Sequence, residues 1–439
     1  MSIRQEIAEL VDKAARAAQE AGAIPAAVLP EPSLDRPARP EHGDYASNLP
    51  LRLSRAARAN PMALAEAIAK NIKVEGPIGE VSVAAPGFIN IRLADGWLAG
   101  RVDSILEAGP AFADSTLYAG KKAQVEFVSA NPTGPLHVGN GRWASIGDSL
   151  ARVLAAAGYA AEKEYLVNDQ FTQIDNFAAT LLARYKQLFG VEAEIPENGY
   201  PGEYVVDLAK ELKAEYGDKW LNDDIAPQDL RRLGIERMIA RIRSDLEAMG
   251  VHYDNWFFES TLYQTGVYEQ AMQLLRDQGA IVDKEGAVWL NSSALGEEKD
   301  NVLVRSTGIP TYFASDIAYH YDKLIRRRFD LAIDIWGADH QGHVSRVKTA
   351  VQALGVDEGR LEIIIGQLVG LKRGGETVRF SKRAGEIITL REVVDEVGPD
   401  ACRFFFLQRS ADAQMEFDID LAKRQSNENP VYYVQYGHA

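Results

Sequence analysis

Apolar residues at Ile3, Ile7, Leu10 and Val11 recur at helical spacing, so the chain opens on an amphipathic helix. A second helix is expected over Met62 to Ile72, with Asn60 as its N-cap and Pro61 at its first position. The stretch Val81 to Leu93 reads as two strands around a Pro86-Gly87 turn. Asp95 is expected to cap a helix running to about Leu106. The proline-rich stretch Pro25 to Pro40 reads as an extended crossing segment. Residues 1–110 therefore read as a small α+β domain.

From residue 121 the pattern changes. Gln124 to Ser129 is a strand, Asn131 to Pro135 a loop, and Gly139 to Ala157 a helix rich in small residues and stopped by Gly158. Ala161 to Val167 is a second strand. Strand, loop, helix, strand makes a βαβ unit and predicts a parallel sheet. Residues 171–285 are mostly helical by period, as over Leu230 to Met249, and read as an insertion between two halves of that sheet. Further strands are expected at Ala287 to Leu290, Val302 to Val304, Leu331 to Trp336 and Ile363 to Gln367. The segment from about Ala401 reads as helical. The fold class is α/β: a Rossmann-like parallel-sheet domain over 111–400, with the α+β domain before it and the start of a helical domain at 401–439.

A chain of 439 residues is expected to hold two or three domains. The single cysteine, Cys402, excludes a disulfide framework and a multi-cysteine zinc site, and suits a reducing cytosol. Met1 to Ala18 is charged throughout, unlike a signal peptide, and no apolar run is long enough to span a bilayer. A cytoplasmic protein with no membrane partner is expected. The formal net charge of −15 argues against nucleic-acid binding by charge alone, so any RNA contact must use local basic patches.

Two segments carry candidate chemistry. Asn131-Pro-Thr-Gly-Pro-Leu-His137-Val-Gly139-Asn140 joins a predicted strand to a predicted helix. A helix N-terminus offers unpaired N–H groups and a positive dipole end, which suits phosphate. Gly139 would let the backbone approach closely, His137 and Asn140 would add donors, and Pro132 and Pro135 would stiffen the loop. A proline-rich turn with a core histidine is the competing explanation, and only the βαβ context outweighs it. The second segment, Arg379-Phe-Ser-Lys382-Arg383-Ala-Gly385, follows a turn at Lys372 to Gly375 and could lay a cation on a polyphosphate. Alone, it is as well explained as a solvated basic loop.

Together the two segments resemble the HIGH and KMSKS signatures of class I aminoacyl-tRNA synthetases. The wider likeness is to the arginyl-tRNA synthetases. Val125 to Gly139 is similar to their form of the first signature. Thr311-Tyr-Phe-Ala-Ser-Asp316-Ile-Ala-Tyr-His320, Trp336-Gly-Ala-Asp-His340 and Phe380 to Gly385 resemble further segments of theirs. His42-Gly-Asp-Tyr-Ala-Ser-Asn48 resembles part of their N-terminal domain, and Gln425 to Tyr436 the lead into their anticodon-binding helices. Asn140 stands where HIGH ends in histidine. Arg379, Phe380 and Arg383 replace three KMSKS positions, and Lys382 keeps the second lysine. Asn168-Asp169 matches another motif, with Phe171 where a small residue is usual.

The resemblance implies ATP-dependent activation of L-arginine and its transfer to the terminal adenosine of tRNA(Arg). His137, Asn140 and Lys382 become the catalytic candidates, working with Mg²⁺ and no zinc. Pro132, Gly134, His137, Gly139, Asn140, Gly337, Asp339, His340, Ser381, Lys382 and Arg383 would bind ATP. A guanidinium calls for a carboxylate that accepts its planar fork and a tyrosine that stacks on or bonds to it. Glu126, Asp316 and Tyr312 are the candidates, with Ser129, His137 and, at the ammonium or carboxylate end, Asn131. Tyr312 and Asp316 are four apart and would share a helix face. His42, Asp44, Tyr45 and Asn48 would bind tRNA, while Arg326 to Arg328 reads as a solvated helix end. A monomer is expected, lacking most of the anticodon-binding domain because the chain stops as that domain begins. A small-molecule nucleotidyltransferase, a non-catalytic RNA-binding relative and a synthetase for another amino acid remain the alternatives.

Overall fold

A computed structural model describes residues 3–170, 172–221, 226–378 and 388–439, which divide into two compact units, 1–113 and 114–439. In the first unit, helix α1 (Ile3–Glu20) buries Ile7, Val11, Ala14, Ala15 and Ala18 along one stripe. Strands β1 (Leu34–Asp35) and β2 (Tyr45–Ser47) are followed by α2 (Leu49–Ala57) and α3 (Pro61–Ala69). β3 (Ile78–Ala84) and β4 (Phe88–Leu93) complete an antiparallel sheet in the order β1-β2-β4-β3. Leu49, Leu53, Leu64, Ile68, Ile89 and Ile91 join Ile7 and Val11 in its core. Asn60 caps α3 as expected, its Oδ1 accepting the Met62 N–H at 2.8 Å. The last helix, α4 (Asp95–Ala108), is capped differently from expectation. Ala94 holds the N-cap, and Asp95 is the first helical residue, where its charge still suits the dipole.

In the second unit, β5 (Lys122–Glu126), α5 (Val138–Ala156) and β6 (Ala160–Val167) form the expected βαβ unit, with the strands parallel. The small residues of α5 let it sit close to the sheet. A Cβ on Gly147 would lie 2.1 Å from the Phe127 ring. Helices α6 (Thr172–Gln187), α7 (Glu203–Tyr216) and α8 (Ala226–Ala248) follow, with their own core around Phe177, Leu181, Leu208 and Trp220. The stretch read as a helical insertion then returns to the sheet: β7 (Asn255–Phe258) pairs parallel with β6.

After α9 (Ser260–Gln264) and α10 (Val267–Asp277) come β8 (Ile281–Lys284), β9 (Ala287–Leu290) and β10 (Asn301–Val304). These three form a separate antiparallel sheet and do not continue the parallel one. Glu285 and Gly286, with φ of +54° and +73°, make the two-residue turn that folds β9 back on β8. Helix α11 (Tyr312–Tyr321) widens into a π-helical turn over Asp322–Arg326. β11 (Leu331–Gly337), α12 (Val344–Ala353) and β12 (Leu361–Gly366) finish the parallel sheet. β13 (Val369–Arg373) and β14 (Glu376–Val378) make a hairpin, followed by α13 (Leu390–Val397) and α14 (Pro399–Leu407). The final segment is not all helix: β15 (Met415–Asp418) pairs with β13 before α15 (Ile419–Lys423) and α16 (Pro430–His438).

The parallel sheet runs in the order β12-β11-β5-β6-β7. From β5 the chain moves outward to β6 and β7, then returns on the other side as β11 and β12. That reversal opens a crevice beyond the C-terminal ends of β5 and β11, where sheets of this kind bind ligands.

Candidate active site

A cleft of about 810 Å³ opens at this switch point. One wall is the start of α5. His137 is its N-cap: Nδ1 accepts the Gly139 N–H at 3.1 Å, which leaves the neutral ring's proton on Nε2. Asn140 returns the favour, its Oδ1 accepting the His137 N–H at 3.0 Å. This capping box fixes both side chains at a helix end whose dipole favours anions. His137, Asn140 and Trp143 line the cleft. Pro132, Gly134 and Gly139, also expected at the ATP site, are not among the lining residues. Pro132 is buried, Gly134 backs onto the Tyr204 hydroxyl, and Gly139 lies under the His137 ring.

The strand read through to Ser129 ends at Glu126. Val128 has φ +69° and Ser129 φ +37°, and the Ser129 N–H bonds back to the Phe127 carbonyl at 3.0 Å. A left-handed β-branched residue is held there only by its surroundings. The kink turns the Ser129 hydroxyl onto Glu126 Oε1 at 2.9 Å, and its oxygen accepts the Leu166 N–H.

Glu126 is opposite Asp334 on β11 and opposite Glu164 on β6, so three buried carboxylates stand in a row across the sheet. Like charges side by side are unfavourable unless cations lie between them. Lys323, fully buried on the π-turn, donates to Glu126 Oε2 at 2.5 Å and to Asp334 Oδ1 at 2.8 Å. His320 Nε2 meets Asp334 Oδ2 at 2.9 Å. Arg327 Nη1 lies 2.6 Å from Glu164. Burial alone would lower Lys323, but Asp334 and Glu126 outweigh it and keep the ammonium charged. Burial would raise Asp334, yet Lys323 and His320 bring it down to about 2.

The arginine candidates on α11 also meet at the cleft. Asp316 and Tyr312 both line it, and Asp316 Oδ2 accepts from His343 Nε2 at 2.9 Å. Asn131 lines it too, bonded to Asn168 and Gln173, and so do Gly337, Asp339 and His340 after β11. Ser381, Lys382, Arg383 and Phe171 lie outside the described residues.

The motifs did not single out Lys323, Asp334, Glu259 or His343. A signal was there for Asp334: a lone carboxylate in the apolar strand Leu331 to Trp336 requires a partner. Glu259 also lines the cleft. Burial pushes it up to about 7, helped by Asp316 and Asp169 and opposed by a hydrogen bond to Ser315.

In the first unit, Asp44 Oδ2 accepts the Leu93 N–H at 2.8 Å, and His42 Nδ1 is 3.4 Å from Asn90 Nδ2. Tyr45 starts β2, and Asn48 sits at the N-cap position of α2 with its Oδ1 buried and without a hydrogen-bond partner among the described residues. Arg326 and Arg327 are ion-paired to carboxylates, Arg327 to both Glu162 and Glu164.

A parallel sheet with a histidine-capped helix at its switch point is an architecture suited to nucleotides, and residues 101–411 match the class I (R) tRNA synthetase catalytic domain. The second unit thus contains most of a class I aminoacyl-tRNA synthetase catalytic domain. Residues 1–93 match the arginyl-tRNA synthetase N-terminal domain. The chain is 51% identical to the arginine–tRNA ligase of Dehalococcoides mccartyi, over all of this chain and 79% of that protein. It is 50% identical to that of Desulfitobacterium hafniense, again over all of this chain and 79% of the relative. A crystal structure from Campylobacter jejuni, assigned as an arginyl-tRNA synthetase, superposes with a TM-score of 0.73 at 37% identity, covering 79% of this chain and 76% of that one. The Thermus thermophilus arginyl-tRNA synthetase shares the fold, with a TM-score of 0.67 at 19% identity over all of this chain and 80% of that one. The chain belongs to the arginyl-tRNA synthetase family, and with it to the ligases that join arginine to tRNA at the expense of ATP.

Proposed function

We propose that the cleft holds arginine and ATP side by side and carries out both steps of arginine–tRNA ligation. One observation carries this reading: Asp316 and Tyr312, a helical turn apart on α11, open on the same cleft as the His137–Asn140 end of α5. Asp316 and Glu126 accept the guanidinium, and Tyr312 stacks on it or bonds to it. Ser129, Asn131 and His137 hold the amino-acid end. Arginine takes over Asp316 from His343.

The ATP phosphates lie at the start of α5 against His137 and Asn140, while Gly337, Asp339 and His340 take the nucleoside. Lys382, with Ser381 and Arg383, supplies a cation to the phosphates. Arginine's carboxylate is ionised at neutral pH, so no general base is needed. It attacks the α-phosphorus, and pyrophosphate leaves as charge builds beside His137, Asn140 and Lys382. A hydroxyl of the terminal tRNA ribose then attacks the adenylate carbonyl and releases AMP. Among the described residues no cluster of three or more acidic, histidine or cysteine side chains could hold a metal. Mg²⁺ would come with ATP and would supply positive charge at its phosphates, beside His137 and Asn140. His42, Asp44, Tyr45 and Asn48 contact tRNA, and the working form is a cytoplasmic monomer.

The test is Asp316→Asn. The shape is kept, but the charge and half the acceptors are lost. Charge-assisted hydrogen bonds contribute about 1.5–3 kcal/mol, so the arginine KM is expected to rise about tenfold or more while the ATP KM holds. An unchanged arginine KM in a folded variant would make Asp316 structural and remove this assignment.

A further inference from the structure

We propose that Lys323 is a positioning residue for arginine recognition: wedged between Glu126 and Asp334 below the cleft, it bridges the two adjoining carboxylates, offsets their negative charge and fixes Glu126 where it can receive the guanidinium. This rests on the reading of Glu126 as an arginine ligand.

The parallel register sets Glu126 and Asp334 side by side on neighbouring strands, and both line the cleft. Their side chains are 6% and 0% exposed, too little for water to separate the charges. Lys323 is 0% exposed and touches both. It does so because α11 runs into a π-helical turn, closed by the Arg327 N–H on the Asp322 carbonyl at 2.8 Å. Such wide turns are rare and gather at functional sites. This one carries Asp322, Lys323 and Leu324 inward in succession.

Every charge facing the ammonium comes from a different element. Glu126 is on β5, Asp334 on β11 and Glu164 on β6, and the Tyr319 ring of α11 lies 4.0 Å away. Glu126 is further faced by Ser129 and by the buried Tyr253 and Tyr319 phenols, and Asp334 by His320. Burial, with Asp334 beside it, leaves the Glu126 carboxyl above the usual glutamate range, and Lys323 is the cation that opposes that rise. Without it, two buried carboxylates adjoin and one takes up a proton. The guanidinium would then meet a neutral acid at neutral pH and an ionised one at higher pH. Arginine's own guanidinium stays charged throughout. Lys323 does not line the cleft, so it acts through Glu126 and not on the substrate.

The experiment is calorimetric titration of the full chain with L-arginine and, separately, with ATP, repeated from about pH 6.5 to 8.5, a range that spans the ordinary histidine value and the expected raised carboxylate. Lys323→Met is expected to weaken arginine binding about tenfold or more at neutral pH. The loss should shrink as pH rises, with ATP binding unchanged. Wild-type arginine binding at every pH would overturn the proposal, as would an equal, pH-independent loss for both ligands, which marks a purely structural lysine.

If Lys323→Met does not fold, Asp334→Asn decides. It removes the like charge beside Glu126, so Glu126 ionises more readily and arginine binding at the acid end of the range should be held or strengthened, with ATP binding unchanged; weakened arginine binding overturns the proposal. Glu126→Gln separates the two levels. Arginine binding unaffected by it removes Glu126 as a ligand, and the role of Lys323 falls with it. A Glu126→Gln defect without a Lys323 defect sinks the Lys323 role alone.

Discussion

At the scale of single residues, the cleft combines groups that its own burial destabilises. Glu259 is 5% exposed and its carboxyl is raised to about 7. The sign of its effect follows from linkage. Below the ordinary glutamate value the group is protonated whether folded or not, and it costs nothing. As pH rises towards 7 the unfolded chain releases the proton more readily, so native stability falls, and the fall levels off above the folded value. Glu259→Gln is expected to remove this loss. Its Tm should match wild type near pH 4 and exceed it near pH 8, by up to about 3 kcal/mol in stability. Thermal melts across that range provide the check, and parallel pH profiles would show that Glu259 titrates normally. His137 shows the opposite economy: one side chain caps α5 and lines the cleft, and the capping is the part that the sequence motif did not reveal.

At the scale of elements, α5 is fixed to its neighbours by a single buried acid. Asp148, 0% exposed, accepts from Arg403 of α14 at 2.6 Å, from Arg152 of its own helix at 2.9 Å and from Lys163 of β6 at 3.0 Å. Burial would raise its pKa, but Arg403 and Lys163 outweigh burial and hold it below the ordinary value. Asp148→Ala leaves those cations without their partner and is expected to cost about 3 kcal/mol, read as a lowered Tm. Because the folded value is depressed, this stabilisation is present above the ordinary aspartate value. It is lost as pH falls, so the gap between wild type and variant should narrow below about pH 4. A variant that melts with wild type at neutral pH would show that α5 is held by packing alone. Most elements were legible from period and turn chemistry, α1, α3, α5, β6 and β11 among them. The exceptions have a common cause. β7, β8 and β15 were missed, and β9 and β10 were read as strands but not as a separate sheet; each has only four residues, and nothing local says which sheet so short a run joins.

At the scale of the whole molecule, every described residue of the cleft lies in the second unit, while the first has a core of its own. A chain reduced to Asp114–Ala439 is therefore expected to bind arginine and ATP as the full chain does. Its tRNA affinity should be weaker and less sensitive to salt, because phosphate contacts are lost. Calorimetry and filter binding over a salt series test this. A fall in arginine affinity would assign part of the amino-acid site to residues 1–113. The acidic balance of −15 gave no sign of an RNA substrate, since total charge does not report where charges lie.

The sequence by itself determined the βαβ unit, a helix start within a residue of Gly139, and the spacing of Tyr312 and Asp316 on one face. All of these are set within a few residues, by period, caps and turn chemistry. It also carried the family likeness, because the signatures are contiguous. Only the tertiary structure decided where the chain reverses in the sheet, and hence that Glu126 and Asp334 adjoin. It alone brought Lys323 to Glu126 across 197 residues, bent Val128 into a left-handed turn and put His343 on Asp316. The reason is physical. Periodicity tells a residue which face to bury, but parallel strands pair through crossovers, and the partner of a buried charge is chosen by that pairing.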